Sequence, residues 1–352
     1  MKNNTYYLHI SGKNPCLSRA EAETLAKLIG GVLKAEFTHT LIYEFNCSEK
    51  EIANMQRRSS CIKEVGRLLG IAEQDPVEMG KVLLELKECF KKLFEGEERL
   101  LICIKRICSV GKHISSRDIA SIFSRSFGVD PSKVIVRSKG CRGRYLSFIF
   151  TDGVVLIGYV ISSEGKGRLL QDNPHNLPFY KPGVLNPWFS RLLVNLSLTR
   201  KSRAFHDLFC GVGGIVLQAL DGVFREAFCF DVSRVMCWGA LVNTSRLKPD
   251  SIVHIVMCDS TKPPLRSECV ESLATDLPYG ISVKTVSGSA CDIAFKFLNE
   301  LKNLLKRGGR AVVSMPAYCR VSEEELEGLR IVYKCNMYVH SRLGRTIMVV
   351  EK

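Results

Sequence analysis

Four aspartates, Asp207, Asp231, Asp259 and Asp276, each follow an apolar run that reads as a strand. The first opens DLFCGVGG, in which Gly211, Gly213 and Gly214 let a backbone bend closely around a ligand before a helix begins. Asp231 comes 18 residues after Gly213 and is placed to accept hydrogen bonds from both hydroxyls of a ribose. One aspartate alone reads equally well as a helix cap or a turn former, and GxGG alone is a weak signal; four acids at four consecutive strand ends are harder to dismiss. A nicotinamide site would use the first two, but the third glycine of GxGxxG is absent and DLPYG would have no task. No GK[ST] follows, so a kinase-like phosphate loop fails as well. Acids with no Lys or Arg in the glycine loop favour a nucleoside cofactor that lacks phosphates and carries positive charge. S-adenosylmethionine fits that description.

Such a site needs strands that end on one edge. From Pro187 onward strands and helices alternate: a helix at PWFSRLLVNLSL, a strand ending at Leu208, a helix from Ile215, then EAFCFD, a helix SRVMCWGALVNTSRL, and the strands SIVHIVMCD and VESLAT. A helix over 289–306 follows, with Gly308 and Gly309 expected to end it, then a strand RAVVSM. Alternation of this kind predicts a doubly wound parallel sheet, with the last two apolar runs closing it as an antiparallel hairpin. Trp188 and Trp238 fall within helical patterns and are expected in the core.

Upstream the pattern differs. A strand at YYLHI, a helix opened by a capping box from Ser18 to Glu21, and a strand at HTLIYEF make a small α/β unit over the first ~95 residues. Next come a strand at RLLICIKRI, a helix closed by Gly128, and three more strands. The Gly-, Pro- and Asn-rich stretch before Pro187 reads as a linker.

The chain has 352 residues, 46% of them apolar, and a formal charge of +14. Two or three domains are expected. The charge is uneven: residues 1–98 carry 14 Lys and Arg against 15 Asp and Glu, whereas residues 99–170 carry 13 against 4. That excess points to a polyanion, and RSKGCRGRY concentrates Arg137, Lys139, Arg142 and Arg144 on glycine-spaced backbone that can lie against phosphates. The start lacks the pattern of a secretory signal and no apolar run is long enough to span a bilayer, which leads to the expectation of a cytoplasmic protein. The fifteen cysteines, with no CxxC pair, are expected to be reduced and mostly buried, and no ligand set for a metal is found.

These residues resemble a known family. DLFCGVGG looks like the first motif of class I methyltransferases, and DLPYG resembles the [DN]PP[YF] motif of enzymes that methylate exocyclic amino groups of bases. Together with a THUMP-type basic module, the linker HNLPFYKPGVLNPWFSRLLVNL and the ending HSRLGRTIMVV, they resemble the archaeal and eukaryotic tRNA (guanine(10)-N2)-methyltransferases. The likeness is strongest from about residue 174 onward; the first 170 residues match in pattern. Leu208 and Leu277 stand where the family has proline, and Val212 where it has a small hydroxyl residue.

The resemblance implies a Rossmann-like methyltransferase sheet over 186–352, a linker over 166–185, a THUMP-like RNA-binding domain over 96–165 and a ferredoxin-like domain over 1–95. It implies that Asp207, Phe209, Cys210, Gly211, Gly213, Gly214, Asp231, Asp259, Phe179 and Pro182 surround S-adenosylmethionine, and that tRNA is bound by Arg137, Lys139, Arg142 and Arg144. A small zinc-binding activator protein is a partner in part of the family. The lone pair of a guanine amino nitrogen is delocalised into the ring. Asp276 and the Leu277 carbonyl would accept its two hydrogens and concentrate that pair toward the methyl donor, with Asp276 then taking up the proton. Pro278 restricts Leu277 to extended angles and so aims the carbonyl, while Tyr279 gives a flipped base a ring to stack on. Methylation at another tRNA guanine, methylation of adenine N6 in DNA, and RNA binding without catalysis are the alternatives.

Overall fold

The computed structural model describes residues 4–93, 99–163, 174–245, 250–279, 289–322, 324–340 and 343–352. They fall into two compact units, the first holding most of residues 1–165 and the second residues 166–352. Among the described residues no helix is long and apolar enough to cross a membrane.

The first unit contains β1 (Thr5–Ile10), α1 (Pro15–Leu28), β2 (Val32–Phe37), β3 (Thr40–Glu44), α2 (Glu49–Arg58), β4 (Ile62–Glu73), α3 (Pro76–Glu85), α4 (Lys87–Leu93), β5 (Leu100–Arg106), α5 (Ser116–Phe127), β6 (Val134–Arg137), β7 (Leu146–Thr151) and β8 (Val154–Ser162). Its strands form one sheet in the order β2-β3-β1-β4-β8-β7-β5-β6. The twelve-residue β4 runs antiparallel to β1 on one side and to β8 on the other, so strands from both sides of residue 96 share this sheet. Local sequence explains the helices beside it. Ser48 with Glu51 and Ser115 with Asp118 close reciprocal capping boxes at α2 and α5, and Gly128 ends α5 in the left-handed region at φ 67°.

The capping box expected at Ser18 and Glu21 does not form. The helix starts at Pro15, where Asn14 Oδ1 accepts from Leu17 N at 3.1 Å. Glu21 is instead fully buried and accepts from Ser59 Oγ, Ser60 N and Cys61 N at 2.6, 2.8 and 2.7 Å. A buried carboxylate needs such donors, and here they come from residues about forty positions away.

The second unit contains α6 (Pro187–Leu196), β9 (Ala204–Asp207), α7 (Gly214–Leu220), β10 (Glu226–Asp231), α8 (Arg234–Thr244), β11 (Ile252–Met257), β12 (Val270–Asp276), α9 (Ala290–Leu304), β13 (Leu305–Pro316), β14 (Arg330–His340) and β15 (Leu343–Glu351). The sheet order is β11-β10-β9-β12-β13-β15-β14. The first five strands are parallel, and β15 lies antiparallel between β13 and β14, which completes the expected terminal hairpin. The order reverses between β9 and β12, and an open parallel sheet takes its ligand at the carboxyl ends beside such a switch.

Pro187 at the first position of α6 and Asn186 as its cap fix the entry to this unit. On α9 the stripe of Ile293, Ala294, Phe297, Leu298, Leu301 and Leu304 is buried, as the helical spacing predicts. Gly308 and Gly309 do not end this helix. It stops at Leu304 and β13 begins at once, the two glycines lying inside that strand at an irregularity in its pairing with β12. Gly308 has φ 77°, and a Cβ on Gly309 would come within 2.8 Å of the Val270 carbonyl. Their task is a strand irregularity and a close backbone approach.

Two further expectations are corrected. Disulfides join Cys103 to Cys141 and Cys291 to Cys319, so these four cysteines are not reduced. The partners are 38 and 28 residues apart and only the fold brings their Cα atoms to 6.2 and 5.2 Å. Trp238 is not a core residue. It is 56% exposed on the outer side of α8, with its ring set edge-on to Phe179 at 5.2 Å.

Candidate active site

Because β11, β10, β9 and β12 are adjacent and parallel, the four aspartates lie along one edge of the sheet. Asp207, Asp231 and Asp276 are the last residues of β9, β10 and β12; Asp259 lies two residues beyond the end of β11. They are not equivalent. Asp207 is fully buried, with Oδ1 accepting from Thr275 Oγ1 at 2.8 Å and from Phe209 N at 3.3 Å. Its Oδ2 is buried without a hydrogen-bond partner. Burial, and to a lesser extent the negative charges of Asp231 and Asp276, push its carboxyl up to about 7 against the hydrogen bonds that lower it.

Asp231 holds the glycine loop. Its Oδ2 accepts from Gly211 N at 2.9 Å and its Oδ1 from Ser233 N at 2.8 Å. Burial raises its carboxyl above the ordinary aspartate value, opposed by those two bonds. Asp259 is exposed and turned onto its own chain, Oδ1 accepting from Thr261 N and Thr261 Oγ1 at 2.9 and 2.8 Å.

In the glycine loop Gly211 and Gly213 have φ of 52° and 84°, which a side chain would resist. A Cβ added to Gly211 would meet nothing within 4 Å, so the loop leaves open space there. Cys210 and Val212 turn inward and are buried. Phe209 packs edge-on against Phe297 at 5.2 Å, and Leu208 belongs to the same apolar core. Gly214 starts α7.

A further segment reaches this loop. Asn243, buried on α8, accepts from Phe179 N at 3.0 Å and donates through Nδ2 to the carbonyls of Phe179 and Val212, both at 2.9 Å. The Phe179 ring fills the place where a Cβ on Gly239 would stand. Pro182 is exposed.

At the end of β12, Asp276 sits in a compact group. Tyr279 Oη donates to Asp276 Oδ1 at 2.6 Å and lies 3.1 Å from Ser314 Oγ, while Arg345 Nε donates to Tyr279 Oη at 2.9 Å. One guanidinium nitrogen of Arg345 is 3.6 Å from Asp276 Oδ2. Burial raises the Asp276 carboxyl; the Arg345 charge and the bonds from Ser314 and Tyr279 hold it down in part. Leu277 is buried and its N–H donates to the Ser314 carbonyl at 2.8 Å, which sets the peptide that follows Asp276. Tyr318 Oη donates to the Tyr279 carbonyl at 3.0 Å. Thr275 joins the two motifs: its hydroxyl binds Asp207 and accepts from Phe209 N at 3.0 Å.

Sequence reading did not single out Thr275, Asn243, Ser314, Tyr318 or Arg345. Arg345 lies in the quoted ending HSRLGRTIMVV, the one available signal; residues 341 and 342 of that ending, and Gly280 of DLPYG, lie outside the described residues.

Residues 174–344 match the RMKL-like methyltransferase domain family. The matched stretch contains the glycine loop, all four aspartates and Tyr279. Over 305 residues the chain is 27% identical to the tRNA (guanine(10)-N2)-dimethyltransferase of Methanothermobacter thermautotrophicus, covering 85% of this chain and 84% of that one. It is also 27% identical over 353 residues to the protein of that name from Pyrococcus abyssi, covering 98% and 99%. Among solved structures, TrmN from Thermus thermophilus superimposes with a TM-score of 0.55 at 15% identity, covering 99% of both chains. A possible methylase from Clostridium difficile 630 gives 0.52 at 13% identity. The fold is thus a Rossmann-like methyltransferase fold, and the stretch that matches the methyltransferase family lies in the second unit.

The donor set of this domain suits S-adenosylmethionine. A crevice with carboxylates and without Lys or Arg in its loop accepts hydroxyls and a sulfonium charge, and repels phosphates. The open space over Gly211 and the unpartnered Oδ2 of Asp207 are consistent with a ligand at this edge.

The basic residues lie in the first unit. Arg137 ends β6, and Lys139, Arg142 and Arg144 follow in the segment leading to β7; all four are exposed. Gly140 and Gly143 adopt φ of 70° and 79° between them. Tyr145 turns inward instead, donating to Glu64 Oε2 at 2.6 Å, while Tyr7 donates to Glu64 Oε1 at 2.8 Å and Lys105 Nζ pairs with Oε2 at 2.7 Å. Burial would raise the Glu64 carboxyl, but Lys105 and the donated bonds keep it below its ordinary value. The loop therefore ends on a buried charged anchor.

Proposed function

We propose that the chain transfers methyl from S-adenosylmethionine to the exocyclic N2 of a guanosine in tRNA, at position 10. The observation that carries this reading is the placement of Asp276, Leu277 and Tyr279 at the end of β12, hydrogen-bonded through Thr275 to the start of the glycine loop. The names of the relatives support the substrate.

In this reading Asp231 takes the ribose hydroxyls, the loop from Phe209 to Gly214 forms the floor under the cofactor, and Asp207 braces that loop from below. Phe179 and Pro182 contribute from the segment tied by Asn243, and Asp259 takes the nucleoside base end. S-adenosylmethionine supplies an electrophilic methyl on a sulfonium. Asp276 and the Leu277 carbonyl accept the two hydrogens of the guanine amino group, which directs the nitrogen lone pair at that methyl. S-adenosylmethionine held there would supply the methyl to nitrogen and depart as a neutral thioether, and Asp276 would take up the proton that the amino group loses. The base must leave its stem to reach Asp276, and the Tyr279 ring receives it by stacking.

The same reading makes residues 96–165 a THUMP-like module that holds tRNA by its shape and phosphates through Arg137, Lys139, Arg142 and Arg144, with residues 1–95 as a ferredoxin-like part and 166–185 as the linker. A cytoplasmic location and a small zinc-binding activator protein as partner belong to it as well. The deciding experiment is mass spectrometry of an unmodified tRNA transcript incubated with the protein and S-adenosylmethionine, with and without such an activator. A methyl group on guanosine 10 N2 is the expected product; a transcript unchanged in mass under both conditions overturns the reading.

A further inference from the structure

Arg345 is the one cation in contact with the Asp276 group among the described residues, and it arrives from a strand outside DLFCGVGG and DLPYG. It projects from β15, which runs antiparallel to β13 with Ser314 opposite Ile347 and Pro316 opposite Arg345. Its side chain is 13% exposed. The guanidinium carbon stands 5.2 Å from the Phe189 ring centroid and 5.3 Å from that of Tyr279. It is thus held between two aromatic rings, one from α6 and one from the DLPY stretch, and both attract a cation.

The hydrogen bonds give this cation a direction. Arg345 Nε donates to Tyr279 Oη, whose single hydrogen is then directed to Asp276 Oδ1, and a second guanidinium nitrogen faces Asp276 Oδ2. A tyrosine hydroxyl that accepts from a guanidinium is a better donor to a carboxylate, because each bond polarises the next. Oδ1 thus receives Tyr279, and the carboxylate is pinned in rotation about its own axis.

We propose that Arg345 is the positioning residue of this site, fixing the Tyr279 ring and the Asp276 carboxylate in one arrangement and supplying the positive charge that balances it. The inference rests on the amino-methylation reading above and deepens it. The groups facing Asp276 are Arg345 from β15, Ser314 from β13 and Tyr279 from its own segment, with Asp207 on β9, its own carboxyl raised to about 7, as the neighbouring acid. Of these, only Arg345 is a cation, so its removal leaves burial, which favours the protonated acid, opposed only by the hydrogen bonds from Ser314 and Tyr279. A protonated Asp276 can neither accept an amino hydrogen at that oxygen nor take up the proton released.

The test uses the full chain with Arg345→Met, Arg345→Gln and Arg345→Lys, each checked for an unchanged thermal transition. One arm follows the Asp276 carboxyl by 13C NMR as a function of pH in the free protein. Its midpoint is expected to rise by about one pH unit or more in the Met and Gln variants and to return toward the parent in the Lys variant. The other arm follows tRNA methylation: kcat falls roughly 100-fold in Arg345→Met, the acid limb of its pH profile moves upward by the same interval, and S-adenosylmethionine affinity stays within about twofold. An Asp276 midpoint that does not move overturns the inference even if methylation falls, because a loss of packing alone would produce that result. A parent protein inactive on tRNA whose Asp276 midpoint still shifts leaves the positioning role standing and removes the proposed substrate.

Discussion

The Thr275 hydroxyl lies 2.8 Å from Asp207 Oδ1 and 3.0 Å from Phe209 N, so one side chain on β12 fastens the start of the glycine loop after β9. It donates to the carboxylate and accepts from the amide. Replacing Thr275 by Val keeps the shape and deletes both bonds, leaving a buried carboxylate with fewer donors. The expected cost is about 1–3 kcal/mol, read as a lower midpoint in urea unfolding at constant slope. Unfolding indistinguishable from the parent would mean that the bridge does not tie the two motifs together.

Asp207 carries a pH signature of its own. Its carboxyl is pushed from 3.8 up to about 7 by burial, so the folded state binds a proton that the unfolded chain has already released. The stability contributed by the protonated form is complete below pH 3.8 and is lost as pH rises through about 7. In that window the slope reaches at most about 1.4 kcal/mol per pH unit. Urea unfolding measured between pH 4.5 and 7.5 should show the parent losing stability relative to Asp207→Asn, which cannot ionise. Parallel curves for the two proteins would refute the assignment.

Asp276→Ala removes the acceptor and the proton sink together, and Asp276→Asn keeps the shape without the charge. Both are expected to lower methylation by at least about 100-fold while tRNA binding is retained, because the basic loop lies in the other unit. Mass spectrometry of the product and a filter-binding assay on the same preparations separate the two effects. Undiminished methylation by the Ala variant would take Asp276 out of the chemistry.

Changing Arg142 and Arg144 to Ala together is expected to weaken tRNA binding most at low salt and to flatten the plot of log K against log salt. The slope should fall by roughly 1.4–1.8 if each arginine neutralises one phosphate. Equal slopes for parent and variant would make the loop a solvated basic surface and nothing more.

Much of the second unit can be read without coordinates, since each strand and helix is marked by its own apolar period and the aspartates fall where those runs end. The partners of those aspartates cannot. Thr275, Ser314 and Arg345 reach the site through the register of β12, β13 and β15, a tertiary property that no local pattern carries. The same limit explains the misreadings. Ser18 and Glu21 have capping-box spacing, yet Glu21 serves Ser59 to Cys61, and Gly308 and Gly309 look like a helix end but sit inside β13. In the first ~95 residues β2, α2, β4, α3 and α4 are additional to the three expected elements.

The pairing of β4 with β8 has a practical consequence for dissecting the molecule. A fragment cut near residue 96 to isolate the basic loop would strip β8 of one of its two neighbours and leave a long row of unsatisfied amides and carbonyls along one edge of an apolar strand, an invitation to self-association. Any excised RNA-holding piece that is to stay monomeric has to carry Ile62–Glu73 with it.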